Sequence, residues 1–121
     1  MKEYQLKVVK KDEALVVYIP GDVTRLFGEN VLIAIGKSKT LRLYHTKKYW
    51  ETLPARLETM PLAQVKMLRG FISNSSLAAI GRDGEIEIPC KLCAYAMLDE
   101  NVNVKLIVDE TQKIADIIAM K

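Results

Sequence analysis

Two stretches of this chain share one outline, and that repetition limits the folds open to it. "KKDEALVVYIPGDVTRLFG" runs from Lys10 to Gly28, and "GRDGEIEIPCKLCAYA" runs from Gly81 to Ala96. Each passes from a polar turn through a β-prone run into Ile-Pro and then into a helix-like segment. Ile-Pro falls at 19–20 and again at 88–89, so the second proline comes 69 residues after the first. Proline cannot donate to a central ladder and commonly opens a helix. Each Ile-Pro therefore predicts the end of a strand and the start of a helix.

The rest of the chain fits around these two marks. Tyr4 to Lys10 reads as a strand, "KDE" as a turn and Ala14 to Ile19 as a second strand, giving a hairpin. "PGDVTRLFG" reads as one or two helical turns closed by Gly28. "NVLIAIG" and "TLRLYH" form a second hairpin around "KSK", with Leu41 and Leu43 on one face and Arg42 and Tyr44 on the other. After two helices over about 46–74, with Thr46 as N-cap of the first, the order returns. "SLAAIG", "RD" and "EIEI" make a hairpin that places Ile86 and Ile88 opposite Glu85 and Glu87. Pro89 opens the helix "CKLCAYAML", and "VNVKLIVD" and "KIADIIA" close the set around "ETQ".

The reading is one domain over 1–121, made of two repeats (about 1–50 and 75–121) joined by a helical hairpin (about 46–74). A period of this kind marks an internal duplication. One copy alone would expose open sheet edges and half a core. Two copies closing on each other bury both, so the expected fold is α+β: a small β-barrel of two interlocking halves with two central helices.

Composition narrows the function. The 121 residues are 50% hydrophobic, which suits a single globular domain. No apolar run approaches the ~20 residues of a membrane span, and the charged N-terminus does not read as a signal peptide. A cytoplasmic protein is expected. The net charge of +3 is uneven. Residues 1–50 hold ten Lys or Arg against five Asp or Glu, and residues 51–121 hold eight against ten. The basic first half points mildly toward polyanions.

Enzyme chemistry finds little support. His45 has no sequence-near partner, and Asp83 and Glu85 read as solvated turn charge. "GRDG" is too short for a phosphate loop and lies between strands. Cys90 and Cys93 have the spacing of a redox pair at a helix start. No βαβ pattern surrounds them, so both read as small apolar residues. With two cysteines and one histidine, no closed zinc site can be built from Cys and His alone. No metal and no cofactor is expected.

The layout resembles the MraZ family, one of the AbrB-like, swapped-hairpin bacterial transcription regulators. The resemblance spans nearly the whole chain. It rests on Ile-Pro followed by a short helix, twice, on "LRLYHTKKYWETLPARLETMPL", and on "LRGFISNSSLAAIGRDGEIEIP". The family's repeat reads Asp, two variable residues, Gly-Arg, two more, then Ile-Pro. The first copy keeps Asp12 and Ile19-Pro20, with Leu15 and Val16 in place of Gly-Arg. The second keeps Gly84 and Ile88-Pro89, with Gly81 in place of Asp and Glu85 in place of Arg. Neither copy keeps the arginine, so the resemblance is to a divergent member of the family.

The resemblance implies a duplicated, double-split, swapped-hairpin barrel. It also implies a nucleoid-associated transcription regulator that binds promoter double-stranded DNA and assembles with itself as a ring-like homo-oligomer. Membrane and small-molecule substrates are not implied. With the arginines absent, DNA contact would fall to Lys10, Lys11 and Arg82 in the hairpin turns, which could hold phosphates without reading sequence. Asp12 would orient a neighbouring amine or backbone amide. A second reading keeps the barrel and the assembly but not the DNA contact, giving a scaffold or a co-assembling modulator. Glu85 and Glu87 beside the second turn favour it.

Overall fold

The computed structural model describes residues 1–46 and 75–120. Its strands are β1 (Lys2–Lys7), β2 (Val9–Lys11), β3 (Ala14–Tyr18), β4 (Asn30–Ile35), β5 (Leu41–His45), β6 (Ser76–Ala79), β7 (Glu85–Ile88), β8 (Asn103–Asp109) and β9 (Ile114–Ala119). Its helices are α1 (Gly21–Phe27) and α2 (Cys90–Ala96). The described residues thus form a small α+β fold of mostly antiparallel strands with two short helices. The expected helical hairpin, apart from Thr46, lies outside the described residues. Among the described residues, no helix is long and apolar enough to cross a membrane.

The two Ile-Pro units fold alike. Pro20 precedes α1 with φ −56° and ψ 148°, and Pro89 precedes α2 with φ −57° and ψ 147°. The carbonyl of Pro20 accepts from the amides of Val23 and Thr24, and that of Pro89 from Leu92 and Cys93. The ring sets φ in advance, and the lost N–H is one the first turn leaves unpaired anyway. Both helices are seven residues long and begin 69 positions apart. Each buries its inward side, with Val23 and Phe27 in α1 and Leu92, Cys93 and Ala96 in α2.

The strands form two sheets. One has six strands in the order β1-β8-β9-β5-β4-β6, and the other has three in the order β2-β3-β7. The halves trade strands. β1, from the first half, pairs with β8 of the second, and β6, from the second half, pairs with β4 of the first. β3 and β7 pair across the join with Val17 opposite Ile86. These residues are also 69 apart, so equivalent positions of the two copies face each other there.

The closed barrel expected from the sequence is not what the described strands make. The single strand expected over Tyr4 to Lys10 is split at Val8. Val8 is fully buried, donates to Val102 and accepts from Asn101. Past it the chain leaves β8, and Val9 pairs with Val16 in the other sheet. Ile80 does the same in the second half, donating to Glu29 before Gly81 bonds Glu85. Val8 lies within, and half-buried Ile80 packs against, one apolar cluster that joins Val17, Ile33 and Leu43 from the first half to Ile86, Leu106 and Ile117 from the second. Among the described residues, no buried residue is polar or charged. Leu41 and Leu43 are buried and Arg42 and Tyr44 are not, as alternation predicts.

Candidate nucleic-acid interface

The residues expected to meet DNA lie on two hairpin turns. Lys11 pairs with Ala14, which leaves Asp12 and Glu13 as a two-residue loop. Their φ angles of 51° and 68° are those of a type I′ turn, whose twist matches the flanking strands. The second turn is built differently. Gly84 donates to Gly81, Gly81 donates to Glu85, and Gly84 has φ 81°, so Arg82 and Asp83 form its outer corner. Lys10, Lys11, Asp12 and Arg82 are all exposed.

The structure does not bring the two turns together. The first precedes β3, and the second packs at the far end of β3, where Ile19 donates to the carbonyl of Gly84. From Ala14 to Ile19 the strand advances roughly 17 Å. The four expected residues therefore sit at opposite ends of the three-stranded sheet. Each turn is close to neutral: Lys10 and Lys11 adjoin Asp12 and Glu13, and Arg82 adjoins Asp83.

Lys11 has a partner that its position in the chain does not announce. Its ammonium donates to Glu85 Oε1 at 2.7 Å, across 74 residues, and the hydroxyl of Tyr18 donates to the same oxygen at 3.3 Å. Lys11, Tyr18 and Glu85 all lie on the face of the three-stranded sheet turned away from the core. Asp12 makes no side-chain hydrogen bond among the described residues, so the Lys11 amine is oriented by Glu85 and not by Asp12. Lys10 and Arg82 have no ion pair among the described residues.

The hydrogen bond from Lys11 holds the Glu85 carboxyl below its usual range, and the same bond raises Lys11. A carboxyl lowered by folding stabilises the fold above its unfolded pKa and loses that contribution as pH falls through the lower, folded value. A carboxyl-detected NMR titration should place the Glu85 midpoint below the usual carboxylate range. In Lys11→Met the Glu85 midpoint should rise toward the usual carboxylate range. An unchanged midpoint would show that Lys11 is not the cause.

Two further features were beyond local sequence signals. Arg42 and Asp116 oppose each other on β5 and β9 and form a two-bond pair, Nε to Oδ1 at 2.7 Å and Nη2 to Oδ2 at 3.1 Å. No local signal links them, because their register is set by pairing between the halves. The β4–β5 loop carries Lys37 and Lys39 with no acidic residue among 36–40, so it is the more cationic tip. "KSK" was legible as a turn, but its contrast with the balanced tips emerges only once the strands are paired.

The cysteines are not a thiolate pair. Cys93 is buried and donates to the carbonyl of Ile88 at 3.4 Å, while Cys90 is exposed. Burial, with smaller effects from Cys90 and Asp99, pushes the Cys93 thiol up to about 11. A reactive thiolate needs the opposite shift. Among the described residues, no group of three or more His, Cys, Asp or Glu is placed to hold a metal ion. No known protein-family model matches the chain.

Proposed function

We propose that this protein is an MraZ-like, swapped-hairpin regulator that binds double-stranded DNA as a homo-oligomer. The reading starts from the resemblance of the duplicated Ile-Pro-helix units to that family. The observation that carries it is the exchange of strands around Val17 and Ile86, which leaves two exposed hairpin turns at opposite ends of one sheet. Both turns are exposed, so cations on either can meet backbone phosphates. Lys10 and Arg82 are the cations open to such contacts. Few contacts per chain make single-copy binding weak, and assembly multiplies them.

The experiment is a mobility-shift titration on DNA from upstream of the protein's own gene, run at two salt concentrations. The parent should lose affinity with salt, since each phosphate contact releases counterions. The Lys10→Ala, Lys11→Ala, Arg82→Ala protein should bind more weakly, with the salt slope reduced by about 2 to 3. Equal curves for parent and variant would end the DNA reading for these turns.

A second reading is favoured by the Lys11–Glu85 pair, which occupies the first turn's inner cation, and by the near-neutral turns. In it the protein is an assembling scaffold, or a modulator that joins related subunits without holding DNA itself. Sedimentation velocity would then give an oligomer while DNA titration gave nothing.

A further inference from the structure

The two halves end their first helices differently, and the difference opens a site. α1 ends at Gly28, with φ 83° and ψ −131°, a backbone region suited to glycine. The equivalent residue after α2, 69 positions on, is Met97. It sits in the left-handed region at φ 59° and ψ 38°. Leu98 donates to Cys93 and Met97 donates to Ala94, the bonding of a Schellman end whose left-handed position favours glycine. A methionine there is strained and 56% exposed. Met97 shares positive φ with Asp12, Glu13, Ser38, Lys39, Asn101 and Lys113, but of these it is the one large apolar side chain left exposed.

Met97 borders a cleft of about 210 Å³ lined by Ser38, Lys39, Ala96, Met97, Ile118 and Ala119. The β4–β5 tip, the end of α2 and the end of β9 form its walls. The ammonium of Lys39 lies 3.6 Å from the Met97 sulfur. Neither Lys37 nor Lys39 has an ion pair among the described residues. No lining residue is acidic and one, Lys39, is cationic, while Lys37 stands two residues away on the same tip and outside the lining. The cleft's volume is below the roughly 300–1,000 Å³ of small-molecule pockets, and it suits one side chain. A flexible thioether adapts to varied apolar groups.

We propose that this cleft docks a short acidic peptide segment of a partner protein, with one apolar side chain of the segment inserted beside Met97 and its carboxylates on Lys37 and Lys39. Charge complementarity selects acidic flanks, and the apolar lining selects a peptide over a nucleic-acid backbone. The site is independent of the DNA-facing turns, so loss of DNA binding leaves it intact.

Fluorescence anisotropy tests it with a fluorescein-labelled heptapeptide that has leucine at its centre and three acidic residues on each side. The parent protein should bind this peptide at least about tenfold more tightly than the same peptide with serine at its centre. Lys37→Glu with Lys39→Glu should weaken binding by about tenfold or more. Met97→Gly separates docking from folding. It relieves the left-handed strain, so the melting temperature should rise while peptide affinity falls. Equal binding of the leucine and serine peptides would overturn the proposal. So would indifference to the double charge reversal, a Met97→Gly protein that binds as well as the parent, or tighter binding of a heptathymidylate.

Discussion

Replacing Gly84 with alanine is expected to destabilise the protein by roughly 3 kcal/mol and to lower Tm by about 10 °C. Two costs combine. Gly84 has φ 81°, a left-handed conformation that an alanine adopts only under strain. A methyl group built there would also land on the carbonyl oxygen of Ile19, with that residue's carbonyl carbon and amide nitrogen close behind. The obstacle is backbone of the neighbouring strand, which cannot turn aside as a long side chain would. Relief would mean breaking the bond from the Ile19 amide to the Gly84 carbonyl, one of the links that join the halves.

Gly21→Ala is the internal control. Nothing lies within 4 Å of a methyl group there, and Gly21 opens α1. Alanine in a helix should be neutral or stabilising by up to about 1 kcal/mol. Thermal unfolding by circular dichroism should thus separate the two variants in sign. A Gly84→Ala protein that melts within about 2 °C of the parent would show that β3 and β7 do not approach as described.

Ile86→Ala should cost about 3 kcal/mol, and Val17→Ala about 2 kcal/mol. Both residues are fully buried, and they lie opposite each other where β3 meets β7. Truncating either removes apolar contact and leaves a void between the halves. Because the two voids share one site, the double variant should fall short of the summed cost by about 0.5 kcal/mol or more. Glu87, next to Ile86 on the same strand, is exposed, and Glu87→Ala should stay within about 0.5 kcal/mol of the parent. Strict additivity of the Val17 and Ile86 effects would mean that these side chains do not share a cavity.

The parts legible in the sequence are those encoded by residues close together in the chain. Proline sets its own φ, so Pro20 and Pro89 start their helices whatever surrounds them. Alternation of period two placed Leu41, Leu43, Ile86 and Ile88 inward without reference to a partner strand. The turn at Asp12 and Glu13 was legible for the same reason. The likeness of the two halves was readable from Ile-Pro alone.

Partner choice among strands is different. A β-prone run carries a face but not the identity of its neighbour, and long-range packing decides which edges meet. That is why the trade of β1 and β6 between halves was anticipated only as a general closure, and why two sheets bent at Val8 and Ile80 replaced the expected barrel. The candidate site followed the same division. Exposure of Lys10, Lys11, Asp12 and Arg82 was foreseeable from turn chemistry. Their placement at opposite ends of β3, and the capture of Lys11 by Glu85, arose only from the pairing of β3 with β7. Local torsions and hydrophobic period can be written into a few adjacent residues, whereas a contact across 74 residues exists only after the chain has closed on itself.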